Sequence, residues 1–398
     1  MQTERAQRRI KLEDLGKEPF RIFFPAGVLA GLIGVGLWPL YFSGMSAWYP
    51  GQNHARIMAY GLFGGFIFGF LGTAMPRMLS AKPLNASQAI TLLAIHAMMV
   101  LSFAASKLVL GDALFLVLLG AFGSCMAVRA RERRDTPPPG FVLVGLAFAC
   151  VATGTVLAIL QNYRELSFFS VSLQRLLSYQ GFVLLPILGI GPFILPRFFG
   201  MNSEHDFAEA LVPSANWARK AVLAFVTGVL IVTSFFIEAA GWHRLGHWIR
   251  FLTTLTYLLL EMPFHRAPSA GSALGASIRI AFTVLLAGFL SVAIFPAYRV
   301  SLLHLTLIGG FAVIAFVVAT RVVFGHSGHL ERLKGRNRWL LIAVGLMLSG
   351  MATRISGDFW PRVMTSHYTY GALVWMAGVL LWAFFVLPKV FIAEPEDG

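Results

Sequence analysis

Apolar residues run through the chain in long blocks separated by short polar ones. A membrane-crossing α-helix needs about 20 mainly apolar residues. Runs of that kind lie near 22–42, 57–79, 88–110, 112–128, 141–160, 172–196, 217–238, 248–263, 276–295, 300–320, 339–356 and 367–388. The eighth is the weakest, short and bounded by Arg250 and Glu261. The linkers carry turn residues, as in Thr136-Pro137-Pro138-Pro139-Gly140, Gly200 to Asp206, 267–272 and 325–338, and none is long enough for a second domain. The pattern predicts an all-α, polytopic membrane helix bundle of about twelve spans forming one domain. That domain has a polar N-terminal segment (1–21), a bundle (22–390) and a short tail (391–398).

Composition sharpens this. Hydrophobic residues make up 57% of the chain and charged ones 13%, with a mean hydropathy of +0.72. A soluble protein carries about a quarter charged residues, so lipid is the solvent here. The 35 Phe suit lipid contact and the 39 Gly suit close helix approach. A net charge of +14 raises nucleic acid as a partner, but no basic patch is interleaved with exposed aromatics, and loop charge that sets orientation explains it better. Placing the N-terminus in the cytoplasm puts 23 of the 32 Lys and Arg in inner segments and nine in outer ones. A one-helix shift of frame destroys that agreement. Both termini are therefore expected in the cytoplasm. Cys125 and Cys150 read as small core residues, and the long first apolar run argues against a cleavable signal.

That topology gives each histidine a depth. His54 falls at the outer start of the second run, His304 about 5 Å inside the outer boundary of the tenth, and His367 opens the twelfth on the same side. His96 is near the middle of the third. His243 and His247 are expected in the outer turn between the seventh and eighth runs, and His205, His265, His326 and His329 in inner loops. Neutral imidazole ligates haem iron or copper readily, and haem asks for axial ligands from facing helices beside an apolar slot. His54 and His304 meet the first requirement, and the Gly-rich stretch 61–72 would let a flat ring approach the backbone. Spacing alone also allows both to be interfacial anchors. Arg279 and Arg321, near inner helix ends, either snorkel to the interface or pair with an anion such as a haem propionate. Pro76, Pro186, Pro192, Pro196 and Pro263 predict local kinks. Glu238 and Glu261 end their runs and are expected to be solvated. No phosphate-cradling loop, Ser/His/Asp arrangement or HExxH motif is present.

Two stretches resemble a known family. His304-Leu305-Thr306-Leu307-Ile308-Gly309-Gly310, continuing to Ala319-Thr320-Arg321-Val322-Val323-Phe324-Gly325-His326-Ser327-Gly328, is similar to the signature of the NnrS family, a His opening a Gly-containing helix that ends in a GHTGR-type motif. The segment HARIMAYGLFGGFIFGFLGTAMP (54–76) resembles that family's HAHEM-type helix. Weaker echoes are Phe20-Arg21-Ile22-Phe23-Phe24, Gly191 to Phe199, and Glu396-Asp397-Gly398. The resemblance implies a multi-pass protein of the bacterial inner membrane, associated with nitric oxide response and nitrosative stress, containing haem iron and copper. It also implies a distant fold-level analogy to haem–copper oxidases.

On matching positions His54, His304, Arg321 and His326 carry over as cofactor-binding, with His54 and His304 as the metal ligands. His367 and His96 join them as candidate cofactor contacts. Arg56 and Ile57 replace the second His and the acidic residue of the HAHEM-type motif, and Arg279 stands where a His is expected. Arg does not give up its proton to become a ligand, so copper is the part of the family's chemistry these changes touch. His54 and His304 suffice for a bis-His haem b. Nitric oxide or another small diatomic is the implied ligand and the lipid bilayer the partner. The residues name no electron donor and no oligomeric state, nor do they say whether nitric oxide is turned over or only bound. A reductase needs a second metal, against which Arg56 and Arg279 count. A cofactor-free transporter or exporter is the alternative. Inverted repeats would support it, but 22–196 and 217–388 show no convincing similarity.

Overall fold

A computed structural model describes residues 9–262, 265, 267 and 272–393. Pro263 and the closing Glu396-Asp397-Gly398 lie outside them. Among the described residues there is no β-strand. A short helix, α1 (Leu12–Lys17), precedes twelve long ones. These are α2 (Phe20–Phe42), α3 (Gly51–Met78), α4 (Ala86–Ala104), α5 (Leu108–Arg131), α6 (Phe141–Leu160), α7 (Phe168–Phe199), α8 (Ala215–Ala239), α9 (His243–Glu261), α10 (Ala273–Ile294), α11 (Pro296–His326), α12 (Arg338–Phe359) and α13 (Pro361–Phe391). Eleven are long and apolar enough to cross a membrane; α9, the weak eighth run, is the remaining one.

Helix starts follow ordinary capping chemistry. The Asn85 side chain accepts from the Gln88 N–H while Gln88 reaches back, opening α4, and Ser167, Ser214 and Ser272 cap α7, α8 and α10. Several helices, α3 and α11 among them, extend past their apolar runs, because polar residues continue a helix into the interface. His54 is therefore already inside α3, and His326, expected in a loop, ends α11.

Packing divides the twelve helices into three consecutive quartets. In each, the first two helices pack together: α2 with α3, α6 with α7, and α10 with α11. The last two form a hairpin: α4 with α5, α8 with α9, and α12 with α13. The fourth helix of each quartet lies on the first of the next, and α13 returns to α2 to close the ring. The second helices, α3, α7 and α11, meet on the axis, and their apolar windows are the most buried of the eleven, at 78%, 67% and 61%. Each axial helix contains a π-helical segment, Ile57–Phe63, Leu177–Gly181 or Leu305–Ala312, and each carries an arginine near its far end, Arg77, Arg197 or Arg321. The repeat unit is thus a third of the chain, so a comparison of halves does not find it.

Close approach depends on glycine. A Cβ on Gly65 of α3 would stand 2.7 Å from Gly27 Cα of α2, and one on Gly350 of α12 would stand 2.7 Å from Gly371 O of α13. In lipid, such contacts supply packing that a water-driven effect does not.

The first and last described residues meet at one end of the bundle. Arg9 pairs with Ile392 in an antiparallel bridge. Buried Arg21 donates to Val390 O at 2.7 Å, Ile392 O at 2.6 Å and His326 O at 3.1 Å, and ion-pairs with Glu18. This terminal end is where an even number of spans returns the chain.

Candidate imidazole site at the opposite end

His54 sits on the first turns of α3, immediately before its π segment. Its Nδ1 lies 2.9 Å from Gly34 O of α2. A carbonyl oxygen only accepts, so Nδ1 carries the proton and Nε2 keeps its lone pair. His304 repeats the arrangement on α11, with Nδ1 2.9 Å from Val300 O and 3.2 Å from Ser301 O, just before the π segment Leu305–Ala312. Neither Nε2 has a hydrogen-bond partner among the described residues. This is the tautomer that a metal-ligating histidine adopts, its second nitrogen pinned by a backbone acceptor. π segments frequently mark functional sites because they redirect side chains and release a backbone carbonyl.

The two imidazoles lie within electrostatic range of each other and of the Arg354 guanidinium on α12. Arg354 donates to Asp358 at 3.0 Å and stands over the Tyr368 ring at 3.6 Å, while the Tyr368 hydroxyl donates to Asp358. Tyr368 meets Trp38 edge-on at 6.0 Å, and Trp38 meets His54 in the same way at 5.9 Å. Side chains from α2, α3, α11, α12 and α13 thereby converge at this end of the bundle. His367, next to Tyr368, is held by Ser356 at 2.8 Å on the α12–α13 hairpin. The sequence reading missed Arg354, Asp358, Tyr368 and Trp38. The signal available was Arg354 and Asp358, opposite charges four residues apart inside a span.

The other sequence candidates lie elsewhere. His96, mid-membrane on α4, points Nε2 at Gly61 O (2.9 Å) in the α3 π segment and packs edge-on to Phe23. It serves a backbone acceptor. His326 faces Glu18 at the terminal end and packs on Phe20, and Arg321 stands over Phe198 beside Arg197. His304 and His326 are separated by about 33 Å of helix at 1.5 Å per residue, so one centre does not hold both. Arg56 donates to Asp112 on α5 at 2.9 Å, and Arg279 donates to Ala267 O and stacks on Phe199.

Two expectations need correction. His247 is not in a turn but fully buried on α9. Glu238 and Glu261 are not solvated; they are 5% and 9% exposed and held by cations. His205 lies in a linker, as expected, and is buried there against Glu261. In each case the partner lies on another helix or linker, which satisfies a charge that hydropathy alone sends to water.

Among the described residues no three His, Cys, Asp or Glu side chains come together as a metal site. His54 and His304 offer two neutral imidazole nitrogens without a hydrogen-bond partner among the described residues, the donor type that haem iron takes. Between them α3, α7 and α11 line a half-open apolar pocket of about 100 Å³, with Phe63, Phe66, Ile190, Phe311, Ile314 and Ala315 among its walls.

Fold and site together define a polytopic α-helical membrane protein with an imidazole pair near one end of its bundle. A search among curated proteins returns no match. The family model for NnrS protein matches residues 15–392, nearly the whole chain, and the chain belongs to the NnrS family.

Proposed function

We propose that the protein binds haem b in the bacterial inner membrane and acts in the response to nitric oxide, with His54 and His304 as the residues that would hold the iron. The basic-residue distribution puts the terminal end in the cytoplasm, and hence this site near the periplasmic face. The observation that carries the reading is the matched pair of Nδ1-protonated imidazoles, each with an unpartnered Nε2. Bound there, haem would supply a one-electron redox centre and, where one imidazole leaves, a position for nitric oxide. Arg354 brings a fixed positive charge to the site, and Trp38 and Tyr368 limit the approach of water. Nitric oxide is apolar, and a lipid-embedded bundle with an apolar axial pocket suits it better than a polar solute.

The test is an absorption spectrum and iron determination on detergent-purified protein. The expected result is stoichiometric, six-coordinate, low-spin haem b whose spectrum is lost in His54→Ala and in His304→Ala. Wild-type protein without iron, or a spectrum that survives both substitutions, overturns the reading.

A further inference from the structure

α9 has two unlike faces. Leu245, Trp248, Leu252, Leu259 and Leu260 point outward and are exposed. His247, Arg250, Thr254, Tyr257 and Glu261, spaced three and four residues apart, are buried. With His243 they form one file along the helix, about 27 Å long at 1.5 Å per residue, close to the thickness of a bilayer core.

Each end of the file is a cluster of ionisable groups. At the end remote from the termini, His247 Nε2 stands 3.2 Å from Glu238 Oε2 in a poorly aligned contact, and Arg250 donates to the same oxygen at 2.8 Å. Arg250 also reaches Gln180 at 2.9 Å and Ser234 at 3.2 Å. Beyond it His243 meets Arg299 of α11 at 3.3 Å. At the terminal end Glu261 accepts from His205 and from Lys220 at 2.9 Å, and Lys220 also reaches the exposed Glu204 at 3.2 Å. Between the clusters the Thr254 and Tyr257 hydroxyls are buried without a hydrogen-bond partner, as are His247 Nδ1 and His205 Nδ1. Buried polar atoms in that state draw in ordered water, and ionisable residues inside spans mark proton and ion pathways.

We propose that the buried face of α9 is a proton pathway joining the two ends of the bundle. Glu261 and His205 take up a proton from water at the terminal end. The Thr254 and Tyr257 hydroxyls, with water on their free lone pairs and protons, pass it on. His247 and Glu238 release a proton at the far end, so one proton enters as one leaves and nothing is oxidised or reduced. The Arg250 charge is matched by Glu238 and the Lys220 charge by Glu261 and Glu204. Phe289 of α10 closes the file beside His247.

Full-length protein in liposomes, loaded with pyranine and driven by a valinomycin-set potassium potential, tests this. Wild type is expected to carry protons several-fold faster than empty liposomes. Thr254→Val and Tyr257→Phe together, each removing a hydroxyl that has no partner, are expected to return the flux to the empty-liposome rate while melting like wild type. Trp248→Ala, on the lipid face, is expected to keep the wild-type flux. A wild-type flux equal to empty liposomes overturns the pathway, as does a double variant that conducts like wild type. His54→Ala separates this from the haem reading, because it is expected to lose the haem spectrum and keep the flux.

Discussion

The two ends of α11 carry one histidine each, and they differ in what Nδ1 faces. His326, at the terminal end, meets the buried Glu18 carboxylate, which Arg21 and Arg77 also hold. His304, at the other end, meets only backbone carbonyls. A carboxylate among cations makes an imidazole part of a charge cluster that ties chain segments together. A carbonyl fixes the tautomer and leaves the second nitrogen for chemistry. Residue type and helix are shared; the partner decides the role.

The largest effect expected from breaking this contrast is all-or-none. His304→Ala abolishes the six-coordinate haem spectrum, whereas His326→Ala keeps it, as absorbance of the two purified variants will show. Next comes Arg21→Met, which leaves the Glu18 carboxylate buried with a partner removed. It is expected to cost about 3–5 kcal/mol of stability, measured by thermal melting in detergent, with the haem spectrum intact. His96→Leu, which removes the imidazole donor from Gly61 O in the α3 π segment and leaves the Gly64 N–H on it, is expected to cost about 0.5–1.5 kcal/mol, again without loss of haem. The smallest effect belongs to Glu13→Gln. Its partner Lys17 is 4.0 Å away with both side chains more than half exposed, so the change in melting is expected to stay within about 0.5 kcal/mol.

Much of this architecture is legible in the residues. Twelve apolar runs mark twelve helices because a span must be apolar for its full length. The matching depth of His54 and His304 follows from counting residues along runs whose direction the basic loops set. α9 reads weakly because its polar side turns inward, towards Glu238, Gln180 and Lys220, while leucines face lipid. A hydropathy average does not separate the two sides. The π segments leave no periodicity signal, and the ion pairs Arg56–Asp112 and His205–Glu261 join residues 56 positions apart. The threefold arrangement lies in packing and burial rather than in matching residues, so it emerges only when the helices are assembled.

Cavity rescue addresses the central claim most directly. His304→Gly removes one proposed axial nitrogen and leaves room for free imidazole. The account predicts that ferric His304→Gly turns five-coordinate and high-spin, and that imidazole added to the buffer restores the wild-type low-spin spectrum. A His304→Gly protein with the wild-type spectrum before any imidazole is added would contradict it.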